Sequence, residues 1–343
     1  MTKGAPATGP TPAFHRRKSK YPGFLAVLAA AMAAALIMSA FASSAEPGWI
    51  IIKTGADRSL LSVFFIDAST GWIAGENGLV LRSDDGGFHW ARQTTGVPTA
   101  LQAIFFLDRN RGWAVGNLGA VICTDDGGRH WTKENAGTRK NLYAVQFAGA
   151  ETGWAAGQDG IWKTTDGGKS WRDVFAGQTS FESLFFEDEK TGCVAGEFGE
   201  ILTTADAGRT WTSHRSEITT YFEGIWPADA AHWWAVGLGT GPGGAASGVI
   251  YGSTDGGQSW SRRAEGFAYL NDVSFADPGH GWAVGEKGTI LATTDGGANW
   301  RPQDTGQTRH FFGVHFLDAQ RGWAVGAGGL LALTRNGGAG PGR

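Results

Sequence analysis

The amino-acid sequence predicts an all-β fold, a seven-bladed β-propeller whose last blade is completed by an N-terminal strand. Three observations predict it: an internal repeat of about 40 residues, an unusual composition, and a final repeat that lacks its outer strand while the N-terminus offers one. The 343 residues include 55 glycines and 16 tryptophans but only 11 prolines. That composition suits many short strands and tight turns, and it is too aromatic for a disordered or collagen-like chain. A single domain of more than roughly 200 residues is ordinary for such folds.

Taken in chain order, the first element lies outside the repeats. His15-Arg16-Arg17-Lys18-Ser19-Lys20 is a basic cluster, and Phe24 to Phe41 is an apolar run without charge. A run of about 18 apolar residues is long enough to insert in a membrane as a helix, and the basic flank is expected to stay in the cytoplasm. Small residues at Ala40-Phe41-Ala42 and Ser43-Ser44-Ala45 fit what a signal peptidase reads. The sequence is thus compatible with a cleaved signal peptide, with a retained transmembrane anchor as the alternative, and both place the rest of the chain in the periplasm or an equivalent compartment. The resulting division is residues 1–23 as a basic cytoplasmic segment, 24–45 as signal or anchor, and 46–343 as the propeller.

The repeats follow. Gly71-Trp72-Ile73-Ala74-Gly75 recurs with its tryptophan at Trp113, Trp154, Trp234, Trp282 and Trp323, and with Cys193 in its place in the fourth copy. Each copy is preceded by an apolar run such as Leu101 to Leu107 and followed by an alternating run such as Ala120 to Thr124, which reads as the first three strands of a blade. The outer strand is announced by a second motif, Ser83-Asp84-Asp85-Gly86-Gly87-Phe88-His89-Trp90, with counterparts ending at Trp131, Trp171, Trp211, Trp260 and Trp300. These are Asp-boxes. Their carboxylates, Asp85, Asp126, Asp166, Asp206, Asp255 and Asp295, are expected to accept backbone N–H bonds inside the turn, and glycines such as Gly87 to supply positive φ angles.

The seventh repeat begins an Asp-box at Thr334 but has Pro341 where the tryptophan should stand. Trp49 to Gly55 aligns with Trp90 to Gly96 and so can provide the missing strand, closing the ring and removing exposed sheet edges. Small residues at one position of the first strands (Ser62, Ala103, Ala144, Ser183, Gly224 and Gly313) fit the crowding of blades near the axis. Asp272 breaks that rule and reads as a solvated channel residue. Cys123 and Cys193 are expected to face the core, with no disulfide or metal spacing.

Candidate functional residues lie on the face that carries the loops entering first strands. Arg58, Arg139, Lys140, Arg309 and His310 are basic, whereas Glu182, Glu223 and Asp272 belong to blades four to six, so the mouth is expected to be basic on one side and acidic on the other, a field that orients a charged partner. The fifth repeat is extended within Leu238 to Gly248, which reads as a mobile flap or as tolerated slack. The formal charge of −3 gives no global reason to expect nucleic acid. Asp67, Asp108, Asp188, Asp229, Asp277 and Asp318 recur at one repeat position, as do Glu76, Glu197 and Glu286, which points to turn chemistry rather than to a catalytic pair. His89 and His130 share a position beside an Asp-box tryptophan and are read as structural. No HExxH, GxSxG or metal-ligand cluster is present in the sequence.

The repeat, with Gly112-Trp113-Ala114-Val115-Gly116 and Thr124-Asp125-Asp126-Gly127-Gly128 as its clearest elements, resembles that of the photosystem II stability and assembly factor family of BNR/Asp-box propellers, over roughly Trp49 to Gly338. The resemblance implies a non-catalytic, extracytoplasmic protein that holds a membrane protein, a membrane complex or a precursor through an arginine-rich patch, without a cofactor and as a monomer. In a photosynthetic host it would lie in the thylakoid lumen. Arg58, Arg139 and Arg309 are candidates for the patch by position. Sialidases and some endoglucanases also carry Asp-boxes, so glycoside hydrolysis is the alternative. A sialidase would need an arginine triad with a Tyr–Glu pair, and the sequence displays neither. A carbohydrate-binding propeller would use mouth aromatics such as Tyr221, Trp226 and Tyr269.

Overall fold

The computed structural model describes Met1, residues 47–215 and residues 220–340. The basic cluster, the apolar run and the two candidate cleavage sites lie outside the described residues. Among the described residues no helix is long and apolar enough to cross a membrane.

Residues from Glu46 onward form one compact unit, built from seven antiparallel four-stranded sheets among the described residues. Blade one shows the pattern. Its first strand, Leu60–Phe65, alternates between buried and half-buried positions, its second, Gly71–Gly75, is buried throughout, and its outer strand, Ala91–Gln93, is largely exposed. Such a gradient is expected where sheets pack face to face round an axis: middle strands are covered on both faces, outer strands on neither. The ring closes as the sequence predicts. Ile50–Lys53 pairs antiparallel with Leu330–Thr334, and the first strand of that blade is Phe311–Phe316. Trp49 also takes the place of an Asp-box tryptophan. Its indole N–H donates to Gln303 Oε1 at 2.9 Å, as that of Trp131 does to Gln93 Oε1 at 3.2 Å.

Adjacent blades are joined by a repeated aromatic contact. The second-strand tryptophan of one blade stacks on the last phenylalanine of the next blade's first strand. Trp72 lies 3.5 Å from Phe106, Trp113 3.6 Å from Phe147, Trp282 3.4 Å from Phe316 and Trp323 3.5 Å from Phe65, centroid to centroid. The same indoles donate to Asp-box carbonyls of the neighbouring blade, for example Trp113 Nε1 to Gly167 O at 2.8 Å and Trp323 Nε1 to Gly86 O at 3.0 Å. Each stack contributes about 0.5–1.5 kcal/mol beyond its buried area. This contact leaves no room at the residue preceding the tryptophan: a Cβ on Gly71 would stand 2.6 Å from the Phe65 ring.

Blades four and five depart from the pattern in three correlated places. Cys193 stands where the tryptophan should be, Pro227 where the phenylalanine should be, and Trp233 where the tight glycine should be. With no phenylalanine to clash with, Trp233 reaches the Asp-box of its own blade; its ring lies where a Cβ on Gly257 would be 2.6 Å away. The inter-blade gap is thus filled from the opposite side.

The extension of the fifth repeat is a paired hairpin rather than a loose loop. Trp233–Thr240 and Ala246–Ser253 pair without interruption from Trp233↔Ser253 to Thr240↔Ala246, so the inserted residues lengthen a hairpin. Pairing satisfies their backbone groups, which a glycine-rich loop would leave to solvent.

Candidate functional site

The Asp-boxes are structural. In blade two, Thr124 Oγ1 donates to Asp126 Oδ1 at 2.9 Å, and the N–H groups of His130 and Gly128 donate to Asp126 Oδ1 and Thr124 Oγ1, each at 2.9 Å. The turn needs a left-handed residue at Gly128, φ 89°. Bonds of this kind lower the carboxyls of Asp85, Asp126, Asp206, Asp255 and Asp295 to about 2, at Asp85 against the opposing effect of burial. Asp166 is lowered likewise, against burial, by Ser170. His89 and His130 each bond the same box's carboxylate at 2.6 Å. The six aspartates of the other repeat position cap turns too; Asp108 Oδ1 accepts from the N–H groups of Asn110 and Arg111. Glu76 and Glu197 accept from the N–H of Ser59 and Ser180 just before first strands, and Glu286 stands 3.6 Å from His310. Cys193 is buried and Cys123 half-buried, both as free thiols; burial, then Glu134, pushes Cys123 up to about 12, so neither is a poised nucleophile.

What differs from blade to blade is gathered at the axis. Every first strand carries a register shift, such as that between Leu60 and Ser62, and the extra residue of each is turned inward. Bulges re-aim side chains in this way. Leu61, Gln102, Tyr143, Glu182, Glu223, Asn271 and Phe312, together with the small residues beside them, line an axial cavity of about 270 Å³. Crowding does explain the small residues: a Cβ on Gly224 would approach Asp272 Cα to 3.1 Å.

Asp272 lines the axial cavity and is half-buried, where the sequence reads a channel residue, but both of its carboxylate oxygens are engaged. Its Oδ2 accepts the N–H of Val314 in the next blade at 2.9 Å, and its Oδ1 that of Val273 at 2.8 Å. Ser183 accepts the N–H of Ile225 from the corresponding position at 3.2 Å. Asp272 therefore ties two blades together. Burial pushes its carboxyl up to about 7 against the two N–H bonds.

Glu182 and Glu223 do come together in the cavity. Burial, then Glu223 and Glu197, pushes Glu182 up to about 8, and no cation offsets them among the described residues. Glu223 is raised by burial and bonded by the Tyr269 hydroxyl. That Tyr–Glu pair was invisible in the sequence, where the two residues lie in different repeats, but among the described residues no arginine lines the cavity beside it. Burial and then Glu223 raise the Tyr269 hydroxyl, which is the opposite of nucleophile activation. Trp226 is not at the mouth either. It packs partly buried against Phe185 at 5.8 Å, whereas Tyr221 is exposed beside Phe198.

The basic residues lie outside the cavity, on the loops entering first strands. Arg58, Arg139 and Arg309 are exposed. Arg58 lies 3.6 Å from Asp57, Arg309 donates to Gly328 O at 3.1 Å, and Lys140 Nζ donates to Asp159 O at 3.0 Å. Exposed pairs of this sort contribute roughly 0–1 kcal/mol, so they leave the charges available to a partner. Among the described residues no group of three or more His, Cys, Asp or Glu is placed to hold a metal ion.

A family model described as photosynthesis system II assembly factor YCF48 matches residues 96–180 and 265–342. The photosystem II assembly lipoprotein Ycf48 of Synechococcus sp. (strain CC9902) is 26% identical over 254 residues, covering 72% of this chain. The match spans 62% of that curated relative's length. Among solved structures, YCF48 bound to D1 peptide superposes with a TM-score of 0.68 at 20% identity, over 84% of this chain and 96% of that one. YCF48 from Cyanidioschyzon merolae gives 0.68 at 20%, over 84% and 98%. The GH74 xyloglucanase from Xanthomonas campestris gives 0.69 at 16%, over 84% of this chain but 53% of its own. At such identities the structural matches establish the shared fold.

Proposed function

We infer, from a chain that belongs to the photosystem II assembly factor-like family of Asp-box propellers, that it is a non-catalytic scaffold holding a membrane protein or its precursor during assembly. Residues 1–23 and 24–45 would keep the propeller, residues 46–343, on the outer side of the membrane, as a periplasmic or lumenal protein that is exported or anchored. One relative's being a lipoprotein supports membrane association, and the D1 peptide carried by another supports a photosystem II protein as the client.

The observation that carries this reading is where the repeat stops being regular. Repeated aspartates and histidines are occupied by turns, whereas the charges of the mouth differ from blade to blade: Arg58, Arg139, Lys140, Arg309 and His310 on its loops, Glu182 and Glu223 in its cavity. A rigid ring with a two-signed mouth orients a flexible, charged polypeptide. Glycoside hydrolysis is disfavoured by the same geometry, because the Tyr269–Glu223 pair has no arginine beside it.

The test is binding of an immobilised D1 peptide by the wild type and by the Arg58→Glu, Arg139→Glu, Arg309→Glu triple variant. Reversal of three charges is expected to weaken capture by roughly tenfold or more at low salt, where such fields act farthest, with an unchanged melting temperature. Equal capture by both proteins would remove the basic arc from the account.

A further inference from the structure

Bulky apolar side chains occupy two turn positions that favour glycine. The tip of the turn between second and third strands is left-handed, with Asn77 at φ 55° and Gly328 at φ 60°. Blade two has Leu118 there, φ 59° and 67% exposed, and blade four has Phe198, φ 57° and 40% exposed. A left-handed backbone disfavours bulky side chains, and exposure gains them nothing in folding, so a contact outside the chain is the natural use of Phe198. Its ring lies 5.7 Å from that of Tyr221, itself 38% exposed.

Along the chain this pair neighbours the carboxyl groups of the cavity. Tyr221 is two residues from Glu223, and Glu197, next to Phe198, acts electrostatically on both Glu182 and Glu223. Glu182 has like charges around it and no opposing one among the described residues. Three carboxyl groups beside an exposed aromatic pair, two of them raised by burial and so ready to give up a proton when a cation offsets their charge, are complementary to one chemistry, a cation carried next to an apolar group.

We propose that Phe198 and Tyr221, with Glu182, Glu223 and Glu197 behind them, form a docking surface for a polypeptide that presents a lysine or arginine side chain beside an aromatic or aliphatic one. The cation enters the mouth toward Glu182, and the apolar side chain lies on the Phe198–Tyr221 rings, where burial and cation–π attraction add to the charge pairing. The surface rests on the client-holding reading and assigns it a second contact, opposite in sign to the arginine arc.

The experiment uses arrayed short capped peptides, a Gly-Ser background carrying one Phe-Lys pair, compared with Phe-Gln and Ala-Lys versions. The wild-type protein is expected to bind the Phe-Lys peptide about fivefold tighter than either comparison peptide. The preference should vanish in the Glu182→Gln, Glu223→Gln double variant and in Phe198→Asn, and persist in Leu118→Asn, which alters the same turn position two blades away. Absence of the preference in the wild type, its survival in both cavity and tip variants, or uptake of calcium ions without any peptide preference would each overturn the surface. D1-peptide capture measured in parallel separates the two readings: capture without the Phe-Lys preference removes the surface alone, and the preference without capture removes the proposed client alone.

Discussion

Glu182 projects from a bulge into a cavity that it shares with Glu223, and its proton is expected to make the fold sensitive to pH. Burial first, then the charges of Glu223 and Glu197, raises its carboxyl from the ordinary 4.5 to about 8. Between those values the folded chain keeps a proton that the unfolded chain releases, so this residue's contribution to stability falls as pH rises from 4.5 through about 8 and is level beyond. Glu182→Gln removes that dependence. Thermal melts should coincide with wild type near pH 4 and rise by a few degrees at pH 9; a gain of the same size at both pH values would mean that packing, not ionisation, is responsible. The sequence placed Glu182 and Glu223 at the mouth, as carboxylates of blades four and five on the face that carries the loops entering first strands. It did not reveal the bulge that turns both inward or the hydroxyl of Tyr269 on Glu223, since those depend on contacts between strands far apart in the chain. Nor did it reveal the partner of Asp272, the Val314 N–H, which belongs to the next blade.

At the scale of strands and blades, periodicity made most of the structure legible. The Asp-boxes, the seven middle strands and the closing strand were all readable from motif spacing, and the Ile50–Lys53 strand pairs where the missing outer strand should be. Deleting Trp49 to Thr54 should therefore lower stability by at least the ~3–5 kcal/mol that truncating a buried tryptophan costs, seen as a large fall in the denaturation midpoint. An unchanged midpoint would show that blade seven does not need its outer strand. The junction of blades four and five was legible only as irregularity, a cysteine where six copies have tryptophan. Its cause is a three-residue exchange, Cys193, Pro227 and Trp233, that rebuilds the interface from the other side. Trp233→Gly alone should cost about 3–5 kcal/mol, and adding Cys193→Trp with Pro227→Phe should recover most of it by restoring the stack seen elsewhere. Strictly additive losses in denaturant melts would argue that the three positions are not coupled.

The unit from Glu46 onward is a closed ring whose repeated residues are consumed by turns and blade contacts, leaving function to the side chains that differ between repeats. Among those differences are the basic loops, the acidic axial cavity and the exposed Phe198–Tyr221 pair. A ring closed in this way presents few sheet edges for unwanted pairing, which would suit the proposed scaffold for partly assembled chains. The measurement that tests this account most directly is crosslinking and pull-down from the native membrane fraction, with mass spectrometry of the captured proteins and a parallel assay of the eluate on sialosides and β-glucans. The account predicts recovery of a photosystem II membrane protein or its precursor with no sugar turnover; turnover without any protein client would contradict it and make the ring a glycosidase.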